Sequence, residues 1–300
     1  MKTFKTHLQL LFFPLAVIAF TTIIFGFYIY TTLYVHRLEA LQPYLDWSVP
    51  RPFVYRALTT LAIQGVSAGF SISPELASLA ISYLALLGFA WAFWYLAIRF
   101  LPTRRAQQMT LLAPLTLCPL FLVQRQIYDF PTLFLFTLAL ALLAHEKFFG
   151  YLLLLPLVCL TKETALLLIF FFAFHFRAWT RQYAILLGVQ LWTYAATRFS
   201  LMWIFRNSAG SDLEFHLIDQ IHFYSANPAF ALLLLGFVVA VIALAAYQFS
   251  AKPKFLRDAV LTIGIPLAVL FIFFGFPFEL RVFFEAHPAL LLVCVPPSLS

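Results

Sequence analysis

LLFFPLAVIAFTTIIFGFYIY, residues 10–30, decides what kind of protein this is. The run carries no charged side chain. A helix rises about 1.5 Å per residue, so about 20 apolar residues cross a hydrocarbon core about 30 Å thick. The run is longer than the apolar part of a signal peptide, and no small-residue cleavage site follows it. It reads as a retained first membrane helix. Its short basic tail, Lys2 and Lys5, then stays on the inner side.

The rest of the chain agrees. Of 300 residues, 63% are hydrophobic and 10% charged, with a mean hydropathy of +0.94. A soluble domain is about half apolar and about a quarter charged. Composition therefore excludes a soluble globular chain. The net charge of +7 is not a nucleic-acid footprint. The basic residues sit at the ends of apolar runs, where membrane orientation and anionic lipid account for them. Cys118, Cys159 and Cys294 fall inside apolar runs without CxxC or Cys/His spacing, so they read as packing residues.

The charges are confined to the ends of the runs, and the ends alternate in kind. One kind is almost purely basic: Arg104 and Arg105, Lys147, Arg177 and Arg181, Lys252 with Lys254 and Arg257. The other kind mixes signs: Asp46 with Arg51 and Arg56, Arg125 with Asp129, Lys162 with Glu163, Glu279 with Arg281 and Glu285. Basic ends mark the cytoplasmic face, so the mixed ends share the outer one. Of the twelve acidic residues, only Glu146 and Asp258 fall on the inner side.

The expected fold is an all-α integral membrane protein, a single polytopic domain over residues 1–300 with about 9–10 transmembrane helices. Expected spans are 10–31, 76–100, 109–124, 130–145, 149–161, 163–177, 183–205, 229–250, 258–277 and 287–297. The last is only about ten residues, a half-span or the start of a longer one. The long outer loops are 31–75 and 206–228. In the first, Phe53, Val54, Leu58, Leu61, Ala62 and Val66 recur at helical spacing, with Arg56 and Gln64 off the stripe. This predicts an amphipathic interfacial helix. A second is expected over 213–223. Trp47, Tyr55, Tyr128 and Tyr224 at run ends fit an interfacial aromatic belt.

Ionisable residues at membrane depth cost about 2.5–3.5 kcal/mol each on insertion scales, and are functional candidates by default. Lys162 and Glu163 join two apolar runs with almost no loop between. They read either as a turn whose charges pair or snorkel, or as a cation facing a cavity with an acid beside it. Asp129 precedes Phe130 and Pro131, so it suits a helix cap as well as a site. Arg125 has no such structural role. Glu279 and Arg281 are spaced to pair locally, and Arg281 and Glu285 stand four apart, as a helical pair would. His287 reads as capping or interfacial, or as part of a site. Asp46 stands early in the first outer loop.

In layout the chain resembles the glycosyltransferases of the C fold, which use polyprenyl-phosphate sugar donors. The stretches Tyr55-Arg56-Ala57-Leu58, Tyr128-Asp129-Phe130-Pro131 and Leu160-Thr161-Lys162-Glu163-Thr164-Ala165 are similar to segments of poorly characterised bacterial members of that group. The resemblance covers most of the chain in layout, but only these stretches in residues. It implies transfer of a sugar at the extracytoplasmic face of a bacterial inner membrane, with the N-terminus cytoplasmic. It implies Asp46 as the catalytic acid of the first loop; Glu163, Asp129 and Glu285, in that order, are the remaining candidates for the base. Many better-known members carry two acids separated by one residue there, whereas Asp46 stands alone, which leaves a divalent cation an open question. With no large soluble domain after the bundle, acceptor choice falls to the loops or to a membrane protein partner.

The residues suit that chemistry. A phosphate-linked donor leaves as an anion, so fixed cations must face it. Arg56, Arg125, Lys162 and Arg281 come from four outer segments, with Asp129, Glu279, Glu285 and His287 around them. Arginine grips phosphate bidentately, lysine as a point charge. Phenylalanines, 37 in all, can line a lipid groove or simply face the bilayer. Two other classes compete. A transporter or flippase of an anionic lipid or solute would hold its ions at the midplane, with discontinuous helices. A structural subunit of a membrane complex would not need its cations on one face.

Overall fold

In the computed structural model, residues 2–34, 41–121 and 125–296 are described; the side chains of residues 2–11 and 32–34 are not. The side chains of Lys2 and Lys5, Gln124, and residues 35–40 of the first outer loop thus lie outside the described residues. Regular structure among the described residues is helical, apart from one isolated bridge between Arg51 and Gly210.

Proline stands in the first turn of several helices, and the side chains of Ser73 and Thr180 cap two. Helix α1, Lys2–Tyr34, extends the first span in both directions. A short α2, Gln42–Leu45, and a 3-10 turn, Phe53–Tyr55, lead into α3, Ala57–Phe70. Helix α4, Pro74–Ala97, starts where Ser73 accepts the Leu76 N–H at 3.3 Å and Pro74 fills the first turn. The span expected over 109–124 is two pieces, α5 (Thr103–Leu115) and α6 (Cys118–Phe121). Pro114 and Pro119 lack the N–H that a continuous helix needs there.

Then come α7 (Asp129–Ala144), α8 (Phe148–Thr161), α9 (Leu166–His175) and α10 (Arg181–Ile204). Helix α11 (Leu217–Ala226) lies between α10 and α12, a few residues past the place expected for it, and α12 is Pro228–Ala246. Helices α13 (Lys254–Ala259) and α14 (Ile265–Phe274) are joined by a π-helical turn over Val260–Gly264, and α15 is His287–Val293. Four helical stretches are long and apolar enough to cross a membrane: Phe12–Thr31, Pro74–Ala97, Pro228–Ala246 and Lys254–Phe274. Helices α3, α7, α8 and α9 are apolar but shorter.

The core lies between α4 and α7, with α8, α9, α13 and α15 packed around them. The α4–α7 approach is close: a Cβ on Gly88 would stand 2.9 Å from the Phe134 ring. A satellite cluster of Tyr44, Val49, Val54, Tyr55, Ala57, Tyr128 and Leu201 seats the segment before α3 on the bundle.

The two kinds of helix end stay apart. At the basic end, Arg99 Nε donates to the Ala144 carbonyl at 3.1 Å, His175 meets Asp258 at 2.6 Å, Lys254 meets Asp258 at 3.2 Å, and Lys252 donates to the Val295 carbonyl at 2.6 Å. The mixed ends gather at the other end of the helices.

Helix α3 corrects one expectation. Its protein-facing side is Ala57, Thr59, Thr60 and Ile63, while Leu61 is half exposed. Of the stripe predicted from spacing, Val54 is buried, Leu61 is exposed and the other four are half-buried, while Arg56, expected off the stripe, is buried.

Candidate functional site

The backbone of the α8–α9 connection makes the site possible. Lys162 ends α8 in an extended conformation, φ −162° and ψ 148°. Successive side chains on extended backbone point to opposite sides. Lys162 and Glu163 therefore do not pair with each other. Lys162 Nζ reaches Glu285 at 2.8 Å, and Glu163 reaches Arg56 at 2.8 Å.

Arg56 caps the 3-10 turn before α3 and is 6% exposed. Its guanidinium lies over the rings of Phe53 and Tyr128, at 5.0 and 4.6 Å from their centroids. Nη1 donates to the Tyr128 hydroxyl. The opposite edge grips Glu163, with Nη2 to Oε1 at 2.8 Å and Nε to Oε2 at 3.4 Å. Glu163 thus sits against one full edge of the Arg56 guanidinium, with Lys162 next to it in the chain.

Arg281, 2% exposed, completes the network from the α14–α15 connection. Its Nη1 donates to Asp129 Oδ1 at 2.9 Å and to the Tyr128 hydroxyl at 3.2 Å; Nη2 donates to Glu279 at 2.6 Å. The Tyr128 hydroxyl thus accepts from two arginines. Glu285, fully buried, takes Lys162 and the Thr164 hydroxyl, 2.6 Å away, on the same oxygen. Its Oε2 and Arg281 Nε have no protein partner among the described residues.

The segment before α3 is clamped over this network. Arg51 Nη2 donates to the Gly210 carbonyl at 2.7 Å and its backbone N–H to the Ala209 carbonyl at 2.8 Å. Tyr55 donates to Asp212 at 2.6 Å. Gly210 has φ +88°, and a Cβ there would stand 2.7 Å from the Arg51 carbonyl oxygen, so the seat requires glycine. Beside the network runs an apolar groove of about 740 Å³, lined by Trp47, Ala57, Leu61, Leu160, Leu201 and Phe205. Ala57 follows Arg56 directly, and Leu160 lies two residues before Lys162.

Of the residues singled out by sequence, the structure joins Arg56, Asp129, Lys162, Glu163, Glu279, Arg281 and Glu285. Arg125 borders the network but turns to α1, donating to the Tyr28 carbonyl at 2.6 Å, the Phe121 carbonyl at 2.8 Å and the Thr31 hydroxyl. The expected helical pair of Arg281 with Glu285 does not form. Residues 280–284 make a 3-10 helix, whose tighter winding sends the two side chains to different partners. Asp129 opens α7 but accepts the Gln126 N–H at 2.7 Å, one turn back, so it braces the preceding loop. His287 Nε2 meets the Thr116 hydroxyl at 2.8 Å. Asp46 is exposed, its Oδ1 accepting from Gln42 at 2.7 Å, and it precedes the groove residue Trp47.

Sequence reasoning placed Tyr128 in an aromatic belt and passed over Thr164. Both flank charged residues already singled out, which was the available signal. Among the described residues, no three His, Cys, Asp or Glu side chains lie together as a metal site would need. Comparison with known proteins finds no matching family model, no matching curated protein and no matching solved structure.

Proposed function

We propose that this protein is a membrane glycosyltransferase that moves a sugar from a polyprenyl-phosphate donor to an acceptor at the end of the bundle where the mixed charges gather. In this reading the helices form a polytopic bundle of about 9–10 membrane crossings in a bacterial inner membrane, N-terminus inside. The observation that carries it is the joining of Arg56, Lys162 and Arg281, from three separate outer segments, into one buried network beside an apolar groove. Solvated loop charges would gain about 0–1 kcal/mol from such pairing and have no reason to be buried. Burying them costs several kcal/mol per ion, which a fold retains where the charges serve a purpose.

A polyprenyl phosphate needs both halves of this arrangement. The chain takes the apolar groove, and the phosphate takes the cations at its rim. Arg56 is built for phosphate. Tyr128 and Phe53 hold its plane, and the edge away from Tyr128 carries two N–H donors, which Glu163 occupies. Glu285 Oε2 and Arg281 Nε offer unsatisfied polar atoms to a sugar hydroxyl or a water. Glu163, held on Arg56, and Asp46, next in the chain to the groove residue Trp47, are carboxylates that can take the acceptor proton. The position of the charges at helix ends argues against a midplane transport site.

The test is donor cleavage. Membranes containing the protein receive a panel of undecaprenyl-phosphate-linked hexoses. The expected result is release of undecaprenyl phosphate from one of them, abolished in Arg56→Gln. Movement of intact donor between leaflets without cleavage would replace this reading with transport.

A further inference from the structure

The geometry points to Glu163 as an internal occupant of the donor-phosphate seat, a carboxylate that the incoming phosphate displaces and that then serves as the base. This inference rests on the transferase reading above. It starts from a difficulty: no cation in the network stands open. Arg56, Lys162 and Arg281 face four carboxylates, Glu163, Glu285, Asp129 and Glu279. An anion seated on this set meets no free positive charge, so at this seat it enters by exchange.

Only one of the four acids is placed to leave. Glu285 is fully buried, and the side chains of Asp129 and Glu279 are 8% and 14% exposed; Glu163 is 33% exposed. Its partner stays behind, since Arg56 is held by Tyr128 and two ring faces. The vacated edge of Arg56 presents two N–H donors side by side, the spacing that two phosphate oxygens match. The exchange also conserves charge. A polyprenyl-phosphate sugar is a phosphodiester with one negative charge, the same as the carboxylate it replaces.

Displacement changes what Glu163 can do. Clamped by Arg56 it is a poor base; released toward the mouth, it recovers the basicity of an ordinary carboxylate. The acceptor hydroxyl oxygen then attacks the anomeric carbon as its proton passes to Glu163. The bond from that carbon to the phosphate oxygen breaks, and the electron pair leaves with the polyprenyl phosphate. Its second negative charge faces Arg56, with Lys162 behind. The proton on Glu163 passes to water, after which the carboxylate returns to Arg56 and expels the product. The carboxylate is thus out of the phosphate's seat only while donor is bound.

The experiment measures binding of farnesyl phosphate and of farnesol to the purified full-length chain in nanodiscs. Wild type, Glu163→Gln, Glu163→Asp and Arg56→Gln are compared, each with its thermal unfolding midpoint. Glu163→Gln should bind farnesyl phosphate about tenfold tighter than wild type, because the phosphate no longer competes with a charge-assisted bond. Glu163→Asp, whose shorter arm loosens the grip, should fall between them and covers the case in which Gln does not fold. Farnesol binding should be the same in all, and Arg56→Gln should lose the preference for the phosphate. Equal or weaker farnesyl phosphate binding in both Glu163 variants, with the phosphate still preferred over farnesol, would overturn the seat-exchange inference alone. No preference for the phosphate in any variant would overturn the donor-phosphate reading with it.

Discussion

Replacing Arg281 by methionine keeps the side-chain bulk and removes the charge that joins the two halves of the network. Arg281 bonds Asp129, Glu279 and Tyr128, at 2.9, 2.6 and 3.2 Å, and is 2% exposed. Its loss strands Asp129, itself 6% exposed, as a buried carboxylate without its cation. Breaking a buried pair in this way costs about 3–5 kcal/mol. Lys254→Met is the control, because Lys254 is 63% exposed and Asp258 keeps His175; it should cost no more than about 1 kcal/mol. Reversible unfolding in mixed micelles reads both. Asp129→Asn in the Arg281→Met background should recover part of the loss, since the stranded charge is then gone, and the double-mutant cycle gives the coupling. If Arg281→Met is as mild as Lys254→Met, the network is not buried and paired as described.

Further outcomes follow from the same geometry. Gly210→Ala should loosen the clasp between the outer loops by about 1–3 kcal/mol, since φ is +88° and the Arg51 carbonyl blocks a Cβ; limited proteolysis within residues 206–216 reads it, and unchanged protection would refute it. Cysteines placed at Asp212 should label from outside intact cells and those at Lys254 should not; the reverse pattern would invert the topology. Glu163→Gln, which replaces a charge-assisted pair with Arg56 by a neutral contact, should lower the unfolding midpoint; an unchanged midpoint would mean that the Arg56 pair contributes nothing.

The alternation of charged ends was the most legible part of the fold, because it depends only on where each run stops. The contacts of His175 with Asp258 and of Lys252 with Val295 join ends that spacing alone had put on one face. Helix positions were also readable, since apolar runs of that length have few alternatives to a helix. Burial faces were less so. In a lipid-facing chain both sides of α3 are apolar, so periodicity could not tell that Thr59 and Thr60 face protein and Leu61 faces out. Partners within the site were not readable either. Which acid meets which cation depends on the extended backbone at Lys162 and on the 3-10 turn at 280–284, and neither leaves a mark in charge spacing. Arg125 shows the same limit: its guanidinium is drawn to carbonyls at the end of α1 that no pattern in its own segment announces.

The central claim is that lipid phosphate binds at the mixed-charge end, against Arg56. A cryo-electron microscopy structure of the protein in nanodiscs with undecaprenyl phosphate tests it most directly. The account predicts phosphate density within hydrogen-bond distance of the Arg56 guanidinium, Glu163 swung toward the mouth, and chain density along the groove between Trp47 and Phe205. Phosphate density at the bundle midplane, or at the basic end near Arg177 and Arg181, with Arg56 still gripping Glu163, would contradict it.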